Sequence, residues 1–195
     1  MANIVFESVR YKNILSTGNT FTEVQLNRSK STLIIGDNGA GKSTMLDALT
    51  FALYGKPFRN IKKNQLVNSV NGKGLEVEAR FSIGGNKYLI IRGIKKNKFE
   101  IYKNGEMLNQ DASIRDYQAY LEDTILKLNY KSFGQVVVLG SSTFVPFMQL
   151  KAGERREVIE DLLDIQIFTV MNTLLKDRLS ENKTAITDIK YNIDL

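Results

Sequence analysis

Residues 36–43, Gly-Asp-Asn-Gly-Ala-Gly-Lys-Ser, decide the fold of this chain. The stretch fits the pattern G-x-x-x-x-G-K-[ST] of a phosphate-binding loop without a substitution. The apolar run 31–35 before it predicts a buried strand, and residues 45–53 after it have the pattern of a helix. Because a phosphate-binding loop joins a strand to a helix, this context distinguishes the stretch from a glycine-rich turn before an ordinary helix.

The residue types explain how such a loop binds an anion. Glycines let consecutive backbone N–H groups turn inward around a phosphate, and the following helix directs its positive end at the same anion. Lys42 can reach the β- and γ-phosphates of a nucleotide, and the Ser43 hydroxyl can bind Mg²⁺. We therefore predict Lys42 as the catalytic residue and Ser43 as a metal ligand. The predicted contacts of ATP are Gly36, Asp37, Asn38, Gly39, Ala40, Gly41, Lys42, Ser43 and Thr44.

Composition limits the possible chemistry. The 195 residues suggest one or two domains, and the chain contains neither cysteine nor histidine. Disulfides, thiolate metal sites and a histidine-based nuclease site are thus excluded from this segment. The net charge of +6 favours polyanions only weakly. The N-terminus is not a signal peptide and no apolar run is long enough for a membrane span, which is compatible with a cytoplasmic protein and predicts no membrane partner.

Alternating apolar and polar residues predict strands on both sides of the loop. These strands cover residues 4–11, 21–26, 75–83, 87–92 and 98–102, and a short buried strand is predicted at 136–139. Gly55 is a predicted helix stop, and Asn104-Gly105 is a hairpin turn signal. Helical spacing covers residues 113–126. The sequence therefore predicts an α/β fold in which an antiparallel sheet lies beside the nucleotide-binding core.

The chain changes character at Lys151. Apolar residues then recur in steps of three and four, which predicts a heptad seam interrupted by two asparagines. The seam positions are Ile165, Phe168, Asn172, Leu175, Leu179, Asn182, Ile186, Ile189 and Ile193. We divide the chain into a lobe at 1–150 and a helix at 151–195 that leads into a coiled coil. Since a seam needs a partner helix, the chain is expected to be the first half of a longer protein; the alternative is a single amphipathic helix packed on the domain.

Several stretches resemble one family. The loop with its flanks at 34–44 and 46–49, residues 11–16 and 53–56, and residues 144–148 followed by 154–163 are similar to structural-maintenance-of-chromosomes (SMC) ATPases. Within that family they resemble the ATPase subunit of the SbcC-type recombination and repair nuclease, in a T-even-phage-like version. The resemblance implies the N-terminal lobe of an ABC-type P-loop ATPase head, followed by the start of an antiparallel coiled coil.

The sequence departs from the family pattern at a second metal ligand. The family has a glutamine before its Phe-x-x-Phe stretch, and the equivalent position here is Ser141, while Gln135 lies six residues too early. Ser141 or Gln135 is thus the candidate second Mg²⁺ ligand. The family's acidic strand end and Ser-Gly-Gly signature lie after the coiled coil, and we interpret Glu160-Asp161 as a solvated helix face. ATP hydrolysis is therefore expected to need the C-terminal half of the head and a second protomer.

The resemblance also implies a function. Two heads would sandwich two ATP molecules, and the resulting cycle of closure and release would gate a metallo-nuclease subunit that processes DNA ends. The docking stretch would be Leu162–Leu175, with Ile167 and Val170 as anchors, unless these residues face a returning helix instead. A phage-encoded protein of this kind would act in the host-cell cytoplasm. Double-stranded DNA is a further predicted partner, and its candidate contacts are Lys62, Lys63, Lys95, Lys96 and Lys98.

Three alternatives stay open at this point. An SMC-type structural DNA tether without a nuclease partner would use the same head. A small nucleotide kinase would use the same loop, but it needs an arginine-rich lid where this chain has heptads. The lysines at the predicted hairpin are equally compatible with ordinary solubilising turn residues.

Overall fold

The structure is a computed structural model that describes residues 3–94, 98–108, 114–138, 145–163 and 165–193. The strands of this part of the chain are β1 (Ile4–Lys12), β2 (Thr22–Gln25), β3 (Glu76–Ile83), β4 (Asn86–Gly93), β5 (Phe99–Lys103) and β6 (Glu106–Met107). They form one antiparallel sheet in the order β2-β1-β3-β4-β5-β6. The five predicted strands of the sheet are thus confirmed.

The described residues form five α-helices, the first of which packs directly on the sheet. They are α1 (Lys42–Tyr54), α2 (Ile114–Ala119), which continues as a π-helical segment at Tyr120–Leu126, α3 (Tyr130–Val136), α4 (Ala152–Leu163) and α5 (Gln166–Ile193). α1 packs on β1, β3 and β4. Val77, Ile90 and Ile101 of the sheet and Phe51 of α1 are fully buried in one shared core. The predicted α/β fold with an antiparallel sheet is therefore present.

Two turns follow the sequence signals. Gly55 ends α1 with a φ of 68°, and its N–H donates to the carbonyl oxygen of Phe51 at 2.9 Å. Asn104 and Gly105 join β5 to β6 with φ angles of 52° and 90°. Positive φ at both central residues matches the right-handed twist of a two-residue hairpin, which is why this dipeptide is a strong signal.

The predicted strand at 31–35 is wrong for this structure. Residues 31–37 form no strand, and the side chains of Leu33 and Ile35 are each 83% exposed. A strand persists only where a neighbour pairs with its backbone groups, and the sheet of the described residues offers this run no neighbour. The apolar pattern is that of a strand buried on both faces, but nothing in the described chain covers it.

The predicted strand at 136–139 is also wrong. Val136 ends helix α3, Val137 and Val138 follow in a turn, and Leu139 lies outside the described residues. The Asn129 side chain caps α3 by accepting a hydrogen bond from the N–H of Ser132 at 2.9 Å. Phe133 anchors the helix in the core against Phe6 and Tyr54. A capped start and a buried aromatic side chain thus extend the helix into the apolar run.

The last helix, α5, has 28 residues, and its described side chains are exposed along most of its length. This is the long C-terminal helix expected at the start of a coiled coil. α4 packs on α3 instead, where Lys131 pairs with Glu157 at 3.1 Å. The division of the chain at residues 150 and 151 stays a prediction. No helix in the described ranges combines the length and apolarity that a bilayer crossing needs.

Candidate nucleotide-binding site

The loop before α1 presents free backbone donors. Gly39 and Gly41 have φ angles of 88° and 90°, which side chains other than glycine adopt only with strain. Gly41 occupies the N-cap position of α1 and provides no side-chain acceptor. Within the described chain, no hydrogen bond is donated by the backbone N–H groups of Gly39, Gly41, Lys42 or Ser43. Such a set of N–H groups at a helix N-terminus is suited to an anion.

Lys42 lies across this loop. Its Nζ donates to the carbonyl oxygens of Gly36 at 2.5 Å and Asp37 at 2.7 Å. The ammonium group is therefore held beside the free amides by the loop's own backbone. A phosphate bound there would meet a cation and several N–H groups together, which is the donor set that a triphosphate requires.

The two hydroxyl residues of the first turn differ in accessibility. Ser43 is exposed at the loop, whereas Thr44 is buried and its N–H bonds to the Gly41 carbonyl oxygen at 3.0 Å. Ser43 can thus reach a metal ion bound next to a phosphate. No cluster of three or more acidic residues able to hold a metal occurs in the described ranges. A Mg²⁺ ion at this loop would therefore depend on Ser43, phosphate oxygens and water.

A buried ion pair holds the first half of α1. Asp47 is fully buried, and its Oδ2 accepts a hydrogen bond from Arg59 Nε at 2.7 Å and contacts Nη2 at 2.5 Å. Its Oδ1 accepts from the Arg59 backbone N–H at 3.0 Å. The connector after Gly55 is thereby fixed to the helix that follows the loop. Sequence reasoning missed this pair, although an aspartate inside an apolar helix is a signal for a buried partner.

The other end of α1 is held by Arg92 of β4. Its Nε donates to the Ala52 carbonyl oxygen at 3.0 Å, and its guanidinium carbon lies 3.6 Å from the centre of the Phe99 ring. Burial lowers the pKa of Arg92 to about 9, and the nearby Glu122 carboxylate partly opposes this effect. Arg92 is thus charged at neutral pH. Sequence reasoning missed it, although it alternates with Tyr88 and Ile90 on the core side of its strand.

Gln135, one of the two candidates for a second metal ligand, has no contact with the loop in the described part of the chain. Gln135 lies in α3 and its Nε2 donates to the Val145 carbonyl oxygen at 3.0 Å. It lines a cavity together with Thr50 and Phe58, and the residues around this cavity include none from the loop. Ser141 lies outside the described residues. The choice between them stays a prediction.

Three of the five candidate DNA-binding lysines lie in the described residues, while Lys95 and Lys96 fall outside them. Lys62 and Lys63 lie on the connector after α1, where burial lowers the pKa of Lys63. Lys98 lies between Glu76 and Glu100, at 3.7 Å from each carboxylate. Because two carboxylates already lie beside its ammonium group, Lys98 is less suited to a phosphate than a lysine without such partners.

The interpretation of Glu160-Asp161 as a solvated face is wrong. Asp161 is only 4% exposed, and its Oδ2 accepts hydrogen bonds from the Ser132 hydroxyl at 2.6 Å and the Asn129 N–H at 3.3 Å. Glu160 accepts from Arg156 and from Thr169 of α5. Asp161 is therefore buried against α3, while Glu160 stays nearer the surface and contacts the start of α5.

A family model and several known proteins match the part of the chain that contains this loop. A family model described as an AAA domain matches residues 8–194. The chain belongs to the AAA domain family. Exonuclease subunit 2 of Enterobacteria phage T4 is 48% identical over 176 residues, which cover 90% of this chain and 31% of the phage protein. Exonuclease subunit 2 of Escherichia phage RB69 is 45% identical over 181 residues, or 93% of this chain and 32% of that protein.

More distant relatives also match most of the chain. The DNA double-strand break repair Rad50 ATPase of Thermoplasma acidophilum is 27% identical over 196 residues, 96% of this AAA domain chain and 21% of its own length. A solved structure described under "Structural biochemistry of ATP-driven dimerization and DNA stimulated activation of SMC ATPases" matches 81% of this chain and 99% of its own with a TM-score of 0.55 at 20% identity. The resemblance to SMC and SbcC-type ATPases and their T-even phage version is confirmed. The chain spans about a third of the length of the phage relatives.

Proposed function

We propose that this chain is the N-terminal lobe of an ATPase head that binds ATP and Mg²⁺ in a subunit of a recombination and repair nuclease complex. The observation that carries the proposal is the set of free amides at Gly39, Gly41, Lys42 and Ser43 with the Lys42 ammonium beside them. In this assignment Lys42 binds the β- and γ-phosphates, and the Ser43 hydroxyl binds Mg²⁺. ATP titration of the full-length protein and its Lys42→Met variant tests it.

Hydrolysis, in this proposal, requires the C-terminal half of the head and a second copy. The apolar run beside the loop supports this requirement, because Leu33 and Ile35 are each 83% exposed. Further residues of the head would cover this run and bring the acidic residues that a Mg²⁺-dependent hydrolysis needs.

The exposed apolar residues at the base of α5 form two separate groups, which favours two binding partners rather than one. The seam begins with Ile165 and Phe168, and a second group of exposed apolar residues lies roughly 130° around the helix from it. This second stripe consists of Ile167, Val170, Met171 and Leu174. A returning coiled-coil helix covers the seam alone, so we assign the second stripe to the metallo-nuclease subunit. The names of the phage relatives, which are exonuclease subunits, favour this partner over a tether without a nuclease.

Val170→Asp tests this surface. The substitution puts a charge in the middle of the second stripe, and we expect it to weaken binding of the purified cognate nuclease subunit at least ten-fold, as loss of a central apolar contact does. Thr173→Asp is the matched control, since Thr173 lies less than one turn further along α5, on its polar side. Equal binding by both variants and the wild type would remove the nuclease from this surface, whereas no binding by the wild type would favour the tether.

Duplex DNA is the proposed substrate of the assembled complex, and Lys95 and Lys96 are its proposed contacts on this lobe. Changing both to alanine should lower duplex affinity several-fold at low salt and reduce the salt dependence of binding, because two phosphate contacts are lost. The matched control changes Lys87 and Lys103, which lie at the opposite ends of β4 and β5. A salt titration in which the two double variants behave alike would exclude this site.

Because the relatives include proteins of two phages, we also place the protein in the cytoplasm of a host cell.

A further inference from the structure

The last turn of α1 is closed mainly by side chains from other elements. Only the Phe51 carbonyl oxygen accepts from the helix's own cap, the N–H of Gly55, among these described groups. The Ala52 carbonyl oxygen accepts from Arg92 Nε, and the Leu53 carbonyl oxygen accepts from Gln118 Nε2, each at 3.0 Å. β4 and α2 therefore jointly determine where the C-terminal end of this helix lies.

Arg92 fits this place in a single orientation. Its Nη2 donates to Gln118 Oε1 at 2.6 Å, and the Phe99 ring packs on one face of the guanidinium group. A Cβ atom at Gly55 would come within 3.0 Å of Nη1, so the backbone of α1 packs directly against the group. A lysine ammonium cannot reproduce the planar fork that makes these bonds.

The same network extends toward the base of α5. Gln118 Nε2 also donates to Glu122 Oε1 at 2.7 Å, and Glu122 lies on the π-helical segment Tyr120–Leu126. Glu122 lines a groove together with Thr169 and Val170 of α5. A π-helical segment is an uncommon conformation that occurs often at functional sites. The network thus lies between the helix that carries the loop and the start of the long helix.

We propose that Arg92 is a positioning residue for the phosphate-binding loop, which it holds through α1, and that Gln118 and Glu122 join it to the base of α5. This inference rests on the proposed nucleotide-binding function. α1 has 13 residues and is a stiff rod of about 20 Å. Displacement of its C-terminal end therefore moves Lys42 and Ser43 at the other end, and small displacements of binding groups are costly for affinity.

The test uses Arg92→Met in the full-length protein, with Ile101→Ala as a control that is destabilised by loss of a buried side chain of β5. Affinity for a fluorescent ATP analogue is measured well below the unfolding temperature of both variants. Hydrogen exchange of the bonded amides at 44–47 is measured without nucleotide. We expect Arg92→Met to bind about ten-fold more weakly and to exchange faster at 44–47, while the control keeps both properties near wild type.

The outcomes separate this inference from the proposed function. Equal affinity and equal exchange in Arg92→Met and Ile101→Ala would overturn it. Faster exchange at 44–47 in Arg92→Met alone would support it even if the wild-type protein bound no nucleotide, a result that would overturn the proposed function only. Should Arg92→Met fail to fold, Gln118→Leu replaces it, because this variant loses the hydrogen bonds of Gln118 with the Leu53 carbonyl oxygen and with Arg92 Nη2. The same two measurements then test the proposal.

Discussion

Replacement of Lys42 by methionine should lower ATP turnover by the full-length protein roughly 100-fold or more, because a cation aimed at the transferring phosphoryl group is lost. Methionine keeps most of the length of the side chain but cannot donate to a phosphate. The Nζ contacts of Lys42 with the Gly36 and Asp37 carbonyl oxygens are exposed, so the variant should fold normally. Steady-state phosphate release and ATP affinity, measured with Mg²⁺ present, check both parts.

Lys56→Met is the matched control for this experiment. Lys56 follows the opposite end of α1, and its ammonium lies 5.7 Å from the centre of the Tyr130 ring. We expect turnover within about two-fold of wild type, since surface substitutions of this kind have small effects. Loss of turnover in both variants, or in neither, would contradict the role assigned to Lys42.

Replacement of Arg59 by methionine should destabilise the lobe by about 3 kcal/mol, because the fully buried Asp47 carboxylate would lose its counter-ion and two charged donors. For a domain of this size, that loss corresponds to an unfolding temperature about 6–12 °C lower. A thermal unfolding scan of the full-length protein and the variant measures it. Burial of the carboxylate, rather than the ion pair as such, is the reason for the size of the effect.

Arg156→Met is the control with the same substitution. Arg156 makes an exposed pair with Glu160 one helical turn away, and such pairs contribute about 0.5 kcal/mol. The two variants should therefore differ clearly in unfolding temperature. Similar small shifts would mean that Asp47 is solvated and that the connector is not fixed to α1 as described.

The sequence alone was sufficient for features that depend on local chemistry. Particular backbone angles or donors are needed in the loop at 36–44, at the stop at Gly55 and at the hairpin Asn104-Gly105, and only a few residue types provide them. The alternating strands could be predicted equally well, because one face of the sheet is buried against α1.

Features that depend on distant neighbours could not be predicted in the same way. The run 31–35 has the composition of a strand, but its state depends on whether another strand pairs with it. Asp161 looked solvated because its partners, Ser132 and Asn129, are about 30 positions earlier in the chain. Arg92 could be predicted in part. Its place in the alternation of β4 puts a charge on the core face, and a charge in such a position signals a buried partner without identifying it.

The most direct test of the nucleotide site is a structure of the full-length protein with Mg²⁺ and a slowly hydrolysed ATP analogue. We expect the β- and γ-phosphates to lie within hydrogen-bond distance of the backbone N–H groups of Gly39, Gly41, Lys42 and Ser43. Lys42 Nζ should then bind the phosphates and no longer the Gly36 carbonyl oxygen. A nucleotide bound elsewhere on the protein, with these amides bonded to the chain itself, would contradict it.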